Sequence, residues 1–145
     1  MNFSQFLIEA EEEDKNVAAM LKKLPKKHAA LMKGFKFRYV PGNTLKGDDE
    51  HIGLIKGKTV TVAGPWNYGR EFTTLHEVGH MVWEKLMTPE LKKAWGKVAK
   101  KNPRQNQDHD EENFCMAYAG VYTKHPPTTH SHPAWTDFIK NEVPH

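Results

Sequence analysis

Hydrophobic and polar positions follow a helical rhythm at the start of the chain. Phe3, Phe6, Leu7, Ala10, Val17, Met20, Leu21 and Leu24 recur at spacings of three and four, which predicts an amphipathic helix from Phe3 to about Lys23. Ser4 can cap it, and its acidic run Glu9–Asp14 precedes the basic run Lys22–Lys27, the order a helix dipole favours. Pro25 breaks the pattern, and Lys26–Lys33 reads as a short second helix ended by Gly34. The period then changes to two. Phe35, Phe37 and Tyr39 alternate with Lys36 and Arg38, a half-buried strand over Phe35–Val40. Pro41-Gly42-Asn43 is turn chemistry and Thr44–Glu50 is polar loop. His51–Ile55 and Lys58–Ala63 are expected as two short strands with a tight turn at Lys56-Gly57, the second strengthened by its β-branched run.

The second half returns to the helical period. After a connector Trp66–Glu71, a central helix runs to about Met87, with Phe72, Leu75, Val78 or Gly79, Val82 and Leu86 facing the core. His76, His80 and Trp83 lie on an adjoining face. Thr88, Pro89 and Glu90 are start signals for the next helix, whose buried side carries Leu91, Ala94, Trp95, Val98 and Ala99. Asn102–His109 is a polar loop, and Asp108 or Asp110 caps a helix over Asp110–Tyr122. A Pro/Thr/His loop over His125–His132 leads to a last short helix, Pro133–Glu142. Neither repeats nor a linker interrupt this order. The expected fold is α+β: one domain over residues 1–145, small and mainly helical, with a short three-stranded sheet and residues 1–20 as a helical extension.

Composition narrows the picture modestly. The net charge of +3 and the paired lysines, such as Lys22-Lys23 and Lys92-Lys93, lack interleaved aromatics, so they read as solvated helix faces and no nucleic-acid partner is expected. Cys115 is the single cysteine, so no internal disulfide forms, and its apolar neighbours mark it as a small buried residue. Met1–Glu13 has neither a basic n-region nor a long apolar stretch, and no run reaches membrane-spanning length. A cytoplasmic protein without a membrane partner is the resulting expectation.

Chemistry concentrates in His76-Glu77-Val78-Gly79-His80, which reads H-E-x-x-H. On a helix, His76 and His80 lie one turn apart on one face and can aim at one ion. Glu77 projects beside that ion, where a carboxylate can take a proton from water. Thr74 and Glu77 also fit a capping box, which would start the helix too late to hold His76 firmly. Two histidines do not hold a catalytic zinc alone, so a third ligand is needed. The Asp110–Tyr122 helix offers Glu111 and Glu112, and spacing alone does not choose between them. Asp108, His109 and Asp110 are weaker candidates, because a loop holds a ligand less firmly. All five also suit a helix start, where anions are favoured.

H-E-V-G-H followed by Glu112-Asn113-Phe114-Cys115-Met116-Ala117-Tyr118 resembles the anthrax-lethal-factor-like zinc metallopeptidases, which include the Pro-Pro endopeptidases. Their pattern is H-E-[FLV]-[GA]-H and then E-x-F-A-E-A-F. Leu24–His28 leading into Phe35–Val40 is similar to the family's helix-then-strand entry, and Pro133–Ile139 to its closing helix, so the resemblance covers roughly residues 20–143. It implies a zincin-like fold, one catalytic Zn²⁺ held by His76, His80 and Glu112, and Glu77 as the general base. The family's second Glu is Met116 here, and the Tyr that precedes its ligand Glu by seven residues is Gln105. The oxyanion-stabilising role would therefore pass to His109, Tyr68 or another group. More weakly, Met1–Ala10 resembles capsid-targeting leaders of T-even-type phage internal proteins, and Leu7-Ile8-Glu9 their prohead-protease cleavage sites, which implies a virion-associated protein as the alternative to a cytoplasmic one.

These residues point to peptide hydrolysis by water attack, with Glu77 shuttling the proton. The partner is a peptide or protein bound as an extended strand, and Lys58–Ala63 is expected to supply the sheet edge that receives it. A non-catalytic zinc-binding interaction module of the same fold is the alternative. His125, His130 and His132 are spaced too irregularly for a metal claim, and their loop reads as extended surface or as a cover for the cleft.

Overall fold

A computed structural model describes residues 15–40, 45, 52–64, 68–102, 109–124 and 132–145. The leader-like residues 1–14, the turn at Pro41–Asn43, Gln105, His125 and His130 lie outside them. The described elements are α1 (residues 15–22), α2 (Lys26–Leu31), β1 (Lys36–Val40), β2 (Gly53–Lys56), β3 (Thr59–Ala63), α3 (Tyr68–Lys85), α4 (Pro89–Ala99), α5 (Asp110–Tyr122) and α6 (Pro133–Asn141). The fold is α+β, with helices packed around a small mixed sheet. Among the described residues no helix is long and apolar enough to cross a membrane.

The sheet order is β1-β3-β2, with β1 parallel and β2 antiparallel to β3. This corrects the expectation that Lys58–Ala63 is the sheet edge. β3 is the central strand because its Val60, Val62 and Ala63 are the side chains buried most deeply, and a strand buried this way needs a partner on each side. β2 is an outer strand instead. Its hairpin turns at Gly57-Lys58, one residue later than expected, with Gly57 at φ +59°, a conformation that glycine adopts without steric cost.

α3 begins at Tyr68, inside the stretch expected as a connector. The Thr73 hydroxyl donates to the Gly69 carbonyl (3.0 Å) and the Thr74 hydroxyl to that of Arg70 (2.7 Å), both one turn back. Thr74 is thus a mid-helix residue and not a cap, which removes the capping-box account of Glu77. Tyr39 of β1 reaches the same Thr74 oxygen at 3.1 Å. Leu75, Val78 and Val82 form the fully buried stripe of α3.

α5 crosses α3 antiparallel. Glu71 near the start of α3 accepts from Thr123 Oγ1 (2.9 Å) and the Lys124 amide (2.5 Å) beyond the end of α5. At the other end His80 lies against Glu111. Next to His80, a Cβ on Gly79 would stand 3.1 Å from Cys115 Cα, so the helices touch nearly backbone to backbone. Trp95 of α4 secures the start of α5: it is fully buried, packs edge-on against Phe114 and donates to the Asp110 carbonyl at 2.8 Å. Thr88 caps α4 by accepting from the Leu91 amide, as its sequence predicts. α5 itself has His109, with no side-chain capping bond, at the position expected for an aspartate.

His28 locks the far side of the core. Pro144 O can only accept, so His28 Nε2 carries the proton and donates to it (2.7 Å), while Nδ1 accepts from the Tyr118 hydroxyl (3.0 Å). Burial, aided by nearby His145, holds this imidazole below its ordinary pKa of 6.5 and outweighs the Pro144 bond. The unfolded chain therefore binds a proton that the folded chain excludes. Stability is fully present above about pH 6.5 and is lost as the pH falls from there towards the depressed folded value. Urea denaturation should give a lower midpoint at pH 5.5 than at pH 7.5, with the difference reduced in His28→Gln. An equal difference in both proteins would show that other groups carry the effect.

Candidate metal centre

The helical spacing does what the motif requires. His76 and His80 leave α3 on the side facing α5, with side chains 15% and 28% exposed and rings 5.1 Å apart at their centres. α5 delivers the Glu112 carboxylate between them: Oε2 is 3.0 Å from His76 Nε2 and Oε1 is 3.1 Å from His80 Nε2. Spacing left Glu111 and Glu112 open. Glu112 meets both Nε2 atoms, whereas Glu111 meets His80 Nδ1 at 3.1 Å, on the far side of that ring. Glu111 is thus placed to hold the tautomer with a proton on Nδ1, leaving the His80 Nε2 lone pair free for a metal.

The hydrogen bond with His76 holds the Glu112 carboxyl below the usual carboxylate range, helped by the fields of His76, His80 and His109 and opposed by burial. An anionic Glu112 is the form a metal requires. The donor set fits zinc. Bonds of about 2.0–2.2 Å at a tetrahedral centre put neighbouring donors roughly 3.4 Å apart. Each Nε2 already stands within a few tenths of an ångström of that spacing from a Glu112 oxygen.

Cys115 follows Glu112 by three residues, one turn along α5, and lies behind the pair. Its thiol and one ring nitrogen each from His76 and His80 lie within 4.8 Å of one another. Burial pushes this thiol well up, with Glu112, Glu111 and Glu77 adding to the effect. Its burial follows its apolar setting in the sequence, but spacing alone did not reveal its closeness to the histidines. Met116, where the resembled family has glutamate, is half-buried.

Glu77 is 8% exposed and lines, with His76, His80 and Glu112, an open cleft of about 430 Å³ completed by Leu54, Ile55, Met81 and Glu84. Such a volume takes a short stretch of extended peptide. Glu77, Met81 and Glu84 form an i, i+4, i+7 stripe beside the histidines, a signal the sequence carried that reading for ligands alone passed over. Leu54 and Ile55 come from β2, whose place at the cleft follows from the sheet order.

His109 stands exposed at the start of α5, near enough for its charge to act on Glu112. Tyr68 opens α3, about 12 Å of helix axis before His76; its side chain is outside the described residues.

Comparison of the chain with protein-family models, curated proteins and solved structures finds no match. The geometry stands by itself. Competition with a chromophoric chelator should show Glu111→Gln weakening zinc binding by roughly 10–100-fold, as loss of an orienting partner does. Glu112→Gln should weaken it further. Equal affinity for wild type and Glu112→Gln would remove Glu112 from the centre.

Proposed function

We propose that the chain is a zinc-dependent endopeptidase in which His76, His80 and Glu112 hold the metal and Glu77 is the general base. One observation carries this reading: a single carboxylate from α5 meets both Nε2 atoms of the H-E-x-x-H helix, at the head of a cleft that Glu77 shares. Bound zinc supplies Lewis-acid polarisation of a carbonyl and lowers the pKa of a water.

The residues supply the rest. Glu77 accepts the proton of the attacking water and returns it to the departing amine, a transfer its place on the cleft wall beside the histidines allows. β2 supplies the recognition surface. Ala63 N donates to Ile52 O at 2.8 Å, and register alternates along an antiparallel pair, so Leu54 bonds towards β3 while the amides and carbonyls of Gly53 and Ile55 point outwards. An extended peptide pairs with those groups by strand addition. Leu54 and Ile52, 48% and 40% exposed, offer apolar contact beside them. Of the groups proposed for the oxyanion role, His109 stands near enough for its field to act on Glu112.

Cys115 favours a second reading. Were its sulfur to join His76, His80 and Glu112, four protein donors would close the centre, as in structural zinc sites, and leave the chain an interaction module.

Glu77→Gln should retain stoichiometric zinc and lose about 10²–10⁴-fold in cleavage of a mixed peptide library, read by mass spectrometry. Wild type that binds zinc and cuts nothing would sink the peptidase reading. Cobalt substitution separates the alternatives. The open centre predicts no intense sulfur-to-cobalt absorption in the near ultraviolet, whereas the closed one predicts such a band and its loss in Cys115→Ser.

A further inference from the structure

Gly53 opens β2, where a glycine weakens a strand. Its backbone does not require one, because the described glycines with positive φ are Gly34, Gly57 and Gly64. The reason lies across the gap to α3. A Cβ on Gly53 would stand 2.7 Å from Thr73 Cγ2, 3.0 Å from Glu77 Oε1 and 3.3 Å from Glu77 Cγ. These neighbours are one turn apart on α3 and face the strand together.

The two neighbours differ in how they can give way. The hydroxyl of Thr73 is bonded to the Gly69 carbonyl at 3.0 Å, which fixes the rotamer and with it the direction of Cγ2. Glu77 is 8% exposed but lines the open cleft, so its flexible carboxylate has room on the side away from the strand. Across that cleft stand the two histidines and Glu112.

We infer that Gly53 is a positioning residue: the missing side chain leaves the space that the Glu77 carboxylate occupies. The inference rests on the reading of Glu77 as general base. It adds that β2 sets the general base as well as the peptide-pairing edge, through one residue whose amide faces outwards and whose Cα faces Glu77. A methyl at position 53 moves the carboxylate away from the strand, while the three metal donors, on α3 and α5, stay where they are.

Gly53→Ala, Thr73→Ser and the double variant test this. Thr73→Ser deletes Cγ2 and keeps the hydroxyl bond, so the double variant relieves the tightest contact and isolates the one with Glu77. Expected are wild-type zinc affinity in all three and near wild-type turnover in Thr73→Ser. Gly53→Ala and the double variant should lose about 10–100-fold in kcat with little change in KM, the scale of a misplaced catalytic group. Full recovery of kcat in the double variant would place the effect on Thr73 and overturn the inference. So would unchanged kcat in Gly53→Ala. A second readout does not depend on turnover. The side-chain carboxyl ¹³C resonance of Glu77, assigned by its loss in Glu77→Gln, should shift in the double variant relative to Thr73→Ser, and an unmoved resonance overturns the inference. A shifted resonance in a chain that cleaves no peptide would sink the peptidase reading and leave the role of Gly53 standing.

Discussion

The close crossing of α3 and α5 is the constraint on which the rest depends. A carboxylate on one helix can bridge two imidazoles on another only if the axes approach closely, and here Gly79 faces Cys115 with no side chain between the backbones. The residue that permits the approach lies inside the H-E-x-x-H motif, between its histidines. Both ends of the crossing are tied by polar contacts, Glu71 to Thr123 and Lys124 at one end and His80 to Glu111 at the other. Sliding α5 along α3 would break both. Packing of this kind has few alternative arrangements, which is how side chains from separate helices are held to within tenths of an ångström.

Electrostatics opposes the same arrangement. Glu77, Glu84 and Glu112 line one cleft, with Glu111 beside it and no lysine or arginine among the lining residues. Without a cation this concentration of carboxylates costs stability, and the hydrogen bond from His76 to Glu112, with the fields of His76, His80 and His109, offsets part of that cost. A divalent ion would reverse the balance by giving three donors a common partner. The site is thus a local conflict in charge, sustained by an apolar framework that Trp95, Phe114, Tyr118 and Trp135 supply elsewhere.

Much of this was legible in the chain. The helical period placed α3, α4, α5 and α6 to within a few residues, and the Thr88-Pro89 start was read from capping chemistry alone. The α3 start was misjudged because Tyr68-Gly69-Arg70 carries no apolar period; hydroxyl bonds from Thr73 and Thr74 support that turn instead. The two histidines and a glutamate from α5 were legible, but spacing did not divide Glu111 from Glu112, which only the family resemblance separated. Both sit at one helix start, and only the rotation of α5 against α3 decides which faces the Nε2 atoms. Strand order failed for a similar reason. Period-two patterning marks which side chains are buried and says nothing of which neighbour a strand takes, so β3 looked like an edge until the parallel pairing with β1 placed it in the middle.

That pairing exposes β2 to any extended chain, a second copy of this one included. An edge with outward amides beside Ile52 and Leu54 is a template for association between molecules as much as for recognition. Its four residues limit how much backbone a passing chain can engage, and Lys56 places a charge where the strand ends. Any lengthening of β2 that tightened its hold on a peptide would also tighten its hold on itself, so the shortness of this strand sets a ceiling on affinity and a floor on solubility together.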